Sequence, residues 1–149
     1  MVDVTAETHA RRVETGWQVQ QVTVDAIAAA TATRRSPIFV APFNCELGEV
    51  ALINSVLATG ATGTTKNINI VNGGQEGAGT TELANRDLIT GVNLAVGKTL
   101  IFDNIQGASA EVFLTQGDII ELEYELVGGG IAIGPVIAYI AFRVANLSS

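Results

Sequence analysis

Cysteine and histidine each occur once in this chain, and aromatic residues make up only 5% of it. A single thiol, Cys45, excludes an intrachain disulfide and every multi-cysteine metal site. It lies in the apolar-flanked stretch FNCEL, where a free cysteine behaves as a small, inert core residue. The one imidazole, His9, sits in a polar N-terminal stretch, so a Ser-His-Asp or Cys-His arrangement lacks a positioned base. Charge is scarce as well: 15% of residues are charged, against about 25% in an average soluble domain. Eight cations against fifteen anions give a net charge of −7, which opposes electrostatic binding to nucleic acid or to an anionic membrane. The opening stretch MVDVTAETHARRVETG has no apolar signal core, so nothing in it requires export. The longest uncharged run, between Glu125 and Arg143, is broken by Gly128-Gly129-Gly130, Gly134 and Pro135. It reads as a turn followed by a strand and not as a membrane helix.

Apolar residues are abundant. They form 48% of the 149 residues, and the mean hydropathy is +0.36. A chain of this length fits one domain. Its surplus apolar surface therefore belongs at an interface between subunits.

Residues 1–16, with Arg11-Arg12 and few apolar side chains, read as a short arm, helical or extended, that contributes nothing to a core. A domain spanning 17–149 follows. Strands are expected from Trp17 through Asp25, over Ile38–Ala41 up to Pro42, and over Glu49–Leu57 and Asn67–Val71. Further strands fall at Lys98–Phe102, Ala110–Leu114, Asp118–Val127 and Pro135–Val144. The Ala-rich segment 26–33 suits either a helix or close contact between sheets or subunits, and ELANRDL, within 82–97, suits one helical turn. Many short strands punctuated by Gly, Asn and Thr turns predict an all-β fold, a β-sandwich or barrel. No fixed repeat points to a solenoid or propeller.

The last two strands have the clearest pattern. Ile120, Leu122, Tyr124 and Leu126 share one face, and Glu121, Glu123 and Glu125 the other. In the final strand both faces are apolar apart from Arg143: Val136, Ala138, Ile140, Phe142 and Val144 on one side, Ile137, Tyr139 and Ala141 on the other. Such a strand needs cover on both faces, from the core and from a second body. If the two strands form a hairpin, the register that matches their apolar faces sets Leu122 opposite Ile140.

No constellation reads as a catalytic, cofactor or metal site. Glu121, Glu123 and Glu125 recur every second residue along a strand. Paired acids suit glycosidase chemistry or Ca²⁺, but the aromatic platforms of a sugar cleft are missing, and a solvated face that deters edge pairing is the expected role. Gly60–Lys66 (GATGTTK) lacks the spacing of a phosphate loop, and Asn72–Thr81 (NGGQEGAGTT) has no lysine; backbone turns account for both. Arg11-Arg12 and Arg34-Arg35 suit surface ion pairing with a protein partner. Trp17 is expected to anchor the junction of arm and domain. Asn146-Leu147-Ser148 matches a glycosylation sequon that has no role without export.

The polar arm, the Ala/Thr/Val-rich body, the loop VNGGQEGAGTT and the ending LTQGDIIELEYELVGGGIAIGPVIAYIAFRV together resemble small decoration (cement) proteins of tailed-bacteriophage capsids, and more broadly viral jelly-roll modules. The resemblance spans residues 17–149 and is one of layout, with no motif that carries site residues across. It implies a jelly-roll structural protein without an active site, a homotrimer on the capsid exterior that staples neighbouring copies of the major capsid protein. Such a protein is made in the host cytoplasm and has no cofactor, nucleic-acid or membrane partner. Buried area and strand addition would then carry its function. The alternatives are the receptor-binding head of a tail fibre or spike, and a cellular trimeric jelly roll of the tumour-necrosis-factor or complement type.

Overall fold

A computed structural model describes residues 16–97, 99–102 and 112–145; the arm, apart from Gly16, lies outside them. The strands are β1 (Gln18–Val24), β2 (Arg34–Val40), β3 (Cys45–Asn54), β4 (Thr65–Asn72), β5 (Thr81–Asp87), β6 (Thr99–Phe102), β7 (Val112–Leu114), β8 (Ile119–Val127) and β9 (Val136–Val144). Among the described residues there is no helix.

Two antiparallel sheets form a sandwich. One has the order β1-β9-β3-β6, with β7 pairing the start of β3 beside β6; the other has the order β2-β8-β4-β5. The chain changes sheet at most connections, and the two interleaved orders are those of a jelly roll. Alternation builds the interior. Val136, Ala138, Ile140 and Phe142 of β9 face Ile120, Leu122 and Tyr124 of β8 and Ile68 and Ile70 of β4 across the core. The Phe39 and Phe142 rings, from opposite sheets, stand 4.7 Å apart at 49°, a tilted contact contributing about 1 kcal/mol beyond the buried area.

Consecutive strands β8 and β9 lie in different sheets, so the hairpin register with Leu122 opposite Ile140 does not occur. β8 pairs β2 and β4, and β9 pairs β1 and β3. The stretch ELANRDL is strand β5 and not a helical turn. A segment this short cannot hold an isolated helix, whereas pairing with β4 buries Leu83. Strand β2 begins at Arg34 and runs through Pro37, which is tolerated because β2 is an edge and is bulged between Pro37 and Phe39. β3 likewise starts earlier than expected, at Cys45, through a bulge at Gly48. Residues 26–33 form a loop stitched to the β8–β9 connection by two backbone bonds between Ile27 and Ile133, at 2.8 and 3.0 Å. The same contact demands glycine at Gly130. Its φ is +73°, and a Cβ there would lie 2.0 Å from the Ala29 carbonyl oxygen.

Candidate functional site

The two sheets present opposite chemistry to the outside. On β2-β8-β4-β5 the outer face is a polar network. Arg35 donates to Glu123 at 2.7 Å and to the Gly79 carbonyl at 2.7 Å. Asn69 donates to Glu123 at 2.9 Å and to Glu125 at 3.2 Å. Burial pushes the Glu123 carboxyl up, but the bonds from Arg35 and Asn69 and the Arg35 charge outweigh it, and its pKa falls below the ordinary value.

The expected solvated glutamate face is corrected here. Glu125 is exposed, Glu123 is half-buried, and Glu121 is only 7% exposed. The turn from Gly73 to Gly79 folds over this end of β8, so closely that a Cβ on Gly73 would meet the Glu121 carboxylate at 2.4 Å. Alternation puts the glutamates away from the core, but a loop distant in sequence covers Glu121, and Arg35 and Asn69 hold Glu123. Among the described residues no group of three or more His, Cys, Asp or Glu side chains is arranged to hold a metal ion.

The arginine pair is engaged within the chain. Arg35 bonds Glu123 and Gly79, and Arg34 donates to the Asp25 and Ala26 carbonyls at 2.8 and 3.3 Å while its guanidinium lies 5.7 Å from the Tyr124 ring centre. Lys66, the last residue of the first glycine loop, points into the core and donates to the Ala29 carbonyl. Cys45 is fully buried, and burial, with Asp118 adding to it, raises its pKa to about 11. His9, Arg11, Arg12 and the 146–148 sequon lie outside the described residues.

The outer face of the β1-β9-β3-β6 sheet is different. Register places Val19, Gln21 and Thr23 of β1 beside Ala141, Tyr139 and Ile137 of β9, and these beside Glu49, Ala51 and Ile53 of β3. Phe113 of β7 sits opposite Glu46 on the same face. Ile137, Tyr139, Ala141 and Ile53 are half-buried, while Val19 and Phe113 are 64% and 62% exposed. A shallow depression of about 270 Å³, lined by Thr23, Ile53, Pro135 and Ile137 among others, opens at one end. At the other end Arg143 bonds Glu46 at 2.5 Å, and its guanidinium lies 4.5 Å from the centre of the Trp17 ring. The indole rests on the Gly48 bulge, where a Cβ would meet it at 2.5 Å. Among the described residues no strand lies over this face.

The apolar row on the outer face of β9 continues into Ala51 and Ile53 of β3 and reaches Val19 of β1 and Phe113 of β7, with Gln21, Thr23 and Glu49 as polar positions among them. The run Val50-Ala51-Leu52-Ile53 carries the same signal, apolar at odd and even positions alike. Phe113 had no such pattern to mark it, because β7 is only three residues long.

No protein-family model and no curated protein matches the chain. Among solved structures, a chain from the cyanophage Pam1 capsid asymmetric unit is similar over 87% of this chain and 85% of its own length, with 14% identity and a TM-score of 0.53. A chain from the acid-stable capsid of the Helicobacter pylori bacteriophage KHP30 is similar over 87% of this chain and 95% of its own, with 11% identity and a TM-score of 0.45. A chain from Bacillus endospore appendages reaches a TM-score of 0.33 at 15% identity, covering 87% of this chain and 89% of its own. At these identities the Pam1 likeness shows a shared fold; the others, with lower TM-scores, add nothing to it.

Proposed function

We propose that the chain is a non-enzymatic virion structural protein: a capsid decoration protein that binds the outside of a phage shell as an oligomer, expected to be a homotrimer, and staples neighbouring shell subunits. The observation that carries this reading is the apolar outer face of the β1-β9-β3-β6 sheet. A sheet whose other face already builds the core gains nothing in solution from a second apolar face. It gains stability when another subunit covers that face, at about 25 cal/mol per Å² of apolar area removed from water. The Pam1 likeness supports the setting. The coverages of 87% and 85% mean that two chains of nearly equal length align almost end to end, so the similar chain is a jelly roll of this size within a capsid asymmetric unit.

The test pairs light scattering with co-sedimentation. The wild type is expected to be oligomeric at about 10 µM, far above the dissociation constant of a stable interface, and to sediment with capsids of the phage that encodes it. Ile137→Asp and Tyr139→Asp place a charge on the half-buried outer face; they are expected to keep the fold and lose both properties. A monodisperse monomer that does not sediment with shells would overturn the proposal.

A further inference from the structure

Sheet edges expose unpaired backbone donors and acceptors, and soluble proteins blunt them with charge, proline, bulges or short strands. Three of the four edges here are blunted. β2 carries Arg34, Arg35 and Pro37 and a bulge. β5 carries Glu82, Arg86 and Asp87, and its register with β4 shifts between Ile70 and Val71. The edge beside β3 is broken into β6 and β7, of four and three residues.

β1 has none of these devices. Its seven residues, QVQQVTV, hold no charge and no proline. They pair with β9 in unbroken register from Gln18–Phe142 to Val24–Val136. Gln18, Val19, Gln20, Gln21 and Thr23 are exposed, and among the described residues nothing pairs the other side of the strand.

We propose that the β1 edge joins a second copy of this chain in an antiparallel, two-fold contact centred on Gln21, a joint between chains of different oligomers and not the three-fold contact within an expected trimer. The occupant follows from three features. In a two-fold antiparallel pair, residues on the same face must meet, so the axis passes through a residue and not between two. Centring on Gln21 uses the whole strand: Val19 meets Thr23 of the second copy, Gln20 meets Val22, Gln18 meets Val24, and the two Gln21 amides meet on the axis. These are β-branched and amide pairs of the kind that stabilise sheets. Each copy carries a net charge of −7, and an uncharged strand is where two such copies approach without direct repulsion. The joint also continues the outer sheet face, with its exposed Val19, from one copy into the next. The contact is made by the backbone edge of β1, while its Val19, Gln21 and Thr23 side chains border the face that carries the proposed function; residue-specific crosslinking, which association through the face does not give, distinguishes the two.

Engineered cysteines and charges at β1 test this, with buried Cys45 left in place. Directly opposed residues lie about 4.5–5.5 Å apart between Cα atoms, within disulfide reach. Gln21→Cys is expected to form a disulfide-linked dimer on mild oxidation. Val19→Cys and Thr23→Cys are expected to crosslink when mixed and not alone, which only the antiparallel register allows. Gln21→Lys and Gln21→Glu each set like charges face to face; each is expected to weaken self-association by about fivefold or more, and their mixture to restore it. Absence of crosslinking by Gln21→Cys, or wild-type association by both charged variants, overturns the contact. Crosslinking of Val19→Cys with itself overturns the register and with it the centring on Gln21. If crosslinking succeeds and sedimentation with shells fails, the two-fold contact stands and the capsid reading falls; the reverse result removes the contact alone.

Discussion

Lys66 donates its ammonium to the carbonyl oxygen of Ala29 while having no exposed surface of its own. The bond ties β4 to the loop that crosses from β1 to β2. Burial, reinforced by the charge of Arg34, lowers the pKa of Lys66 from 10.5. The folded state therefore binds this proton less well than the unfolded chain does. The penalty is present at neutral pH and is relieved as pH rises towards 10.5, so this group makes the fold more stable in alkali. Lys66→Met keeps the apolar stem and removes the charge. The variant is expected to be at least as stable as wild type at pH 7, since removal of a buried charge is often neutral or stabilising. Urea midpoints at pH 7 and 9.5 check this: the advantage over wild type should shrink at the higher pH.

Cys45 works in the opposite direction. Its pKa rises from 9.0 to about 11 in the fold. Below pH 9 the thiol is protonated in both states. Between pH 9 and 11 the unfolded chain loses the proton while the folded chain keeps it, so stability falls across that window. The two-unit shift corresponds to at most about 3 kcal/mol. Cys45→Ala is expected to flatten that part of the pH profile, at the separate cost of a small cavity. In the native protein at pH 8 the thiol is expected to resist an aromatic disulfide reagent, and to react once urea unfolds the chain.

Glu123 and Glu125 of β8 are expected to separate by burial. Glu123→Gln weakens a charge-assisted bond from Arg35 at 2.7 Å and should cost about 1–3 kcal/mol. Glu125→Gln, at an exposed position, should stay within about 0.5 kcal/mol. Because the Glu123 pKa is lowered from 4.5, its contribution is complete above that value and is lost as pH falls through the folded pKa. Acid titrations of the two variants against wild type check both statements. Equal costs would show that the network does not depend on the Arg35 contact.

How much of this was legible in the sequence follows from what sets each feature. Alternation along β8 and β9 specified which side chains face the core, and Ile120, Leu122, Tyr124, Ile140 and Phe142 lie there. The apolar outer face was legible in β9 because its second row, Ile137, Tyr139 and Ala141, carries no charge until Arg143 at its end. Strand partners were not legible: two strands joined by a short glycine turn look like a hairpin whether they share a sheet or face each other across a core. Nor was the burial of Glu121, which depends on the Gly73–Gly79 turn, more than forty residues away, folding over β8. The roles of Arg34 and Lys66 depended likewise on carbonyls in a loop whose path no periodicity specifies.

Trp17 offers a direct optical reading of the apolar face, because it is the only tryptophan in the chain. Its ring rests on the Gly48 bulge and beneath Arg143. Gly48→Ala places a methyl group where ring carbons stand 2.5 Å from the ideal Cβ position. The indole must then tilt outward, weakening its contact with Arg143, worth about 0.5–1 kcal/mol at such a site, and losing part of its burial against the bulge. The expected result is red-shifted emission and a stability loss of about 1–2 kcal/mol. Gly63→Ala serves as the contrast. A Cβ there meets nothing within 4 Å, but φ is +81°, so strain lowers stability by about 1 kcal/mol or more without shifting the emission. Unchanged emission in Gly48→Ala would mean that the indole does not rest on the bulge in solution, and that the corner formed by Trp17, Arg143 and Glu46 is not part of this face.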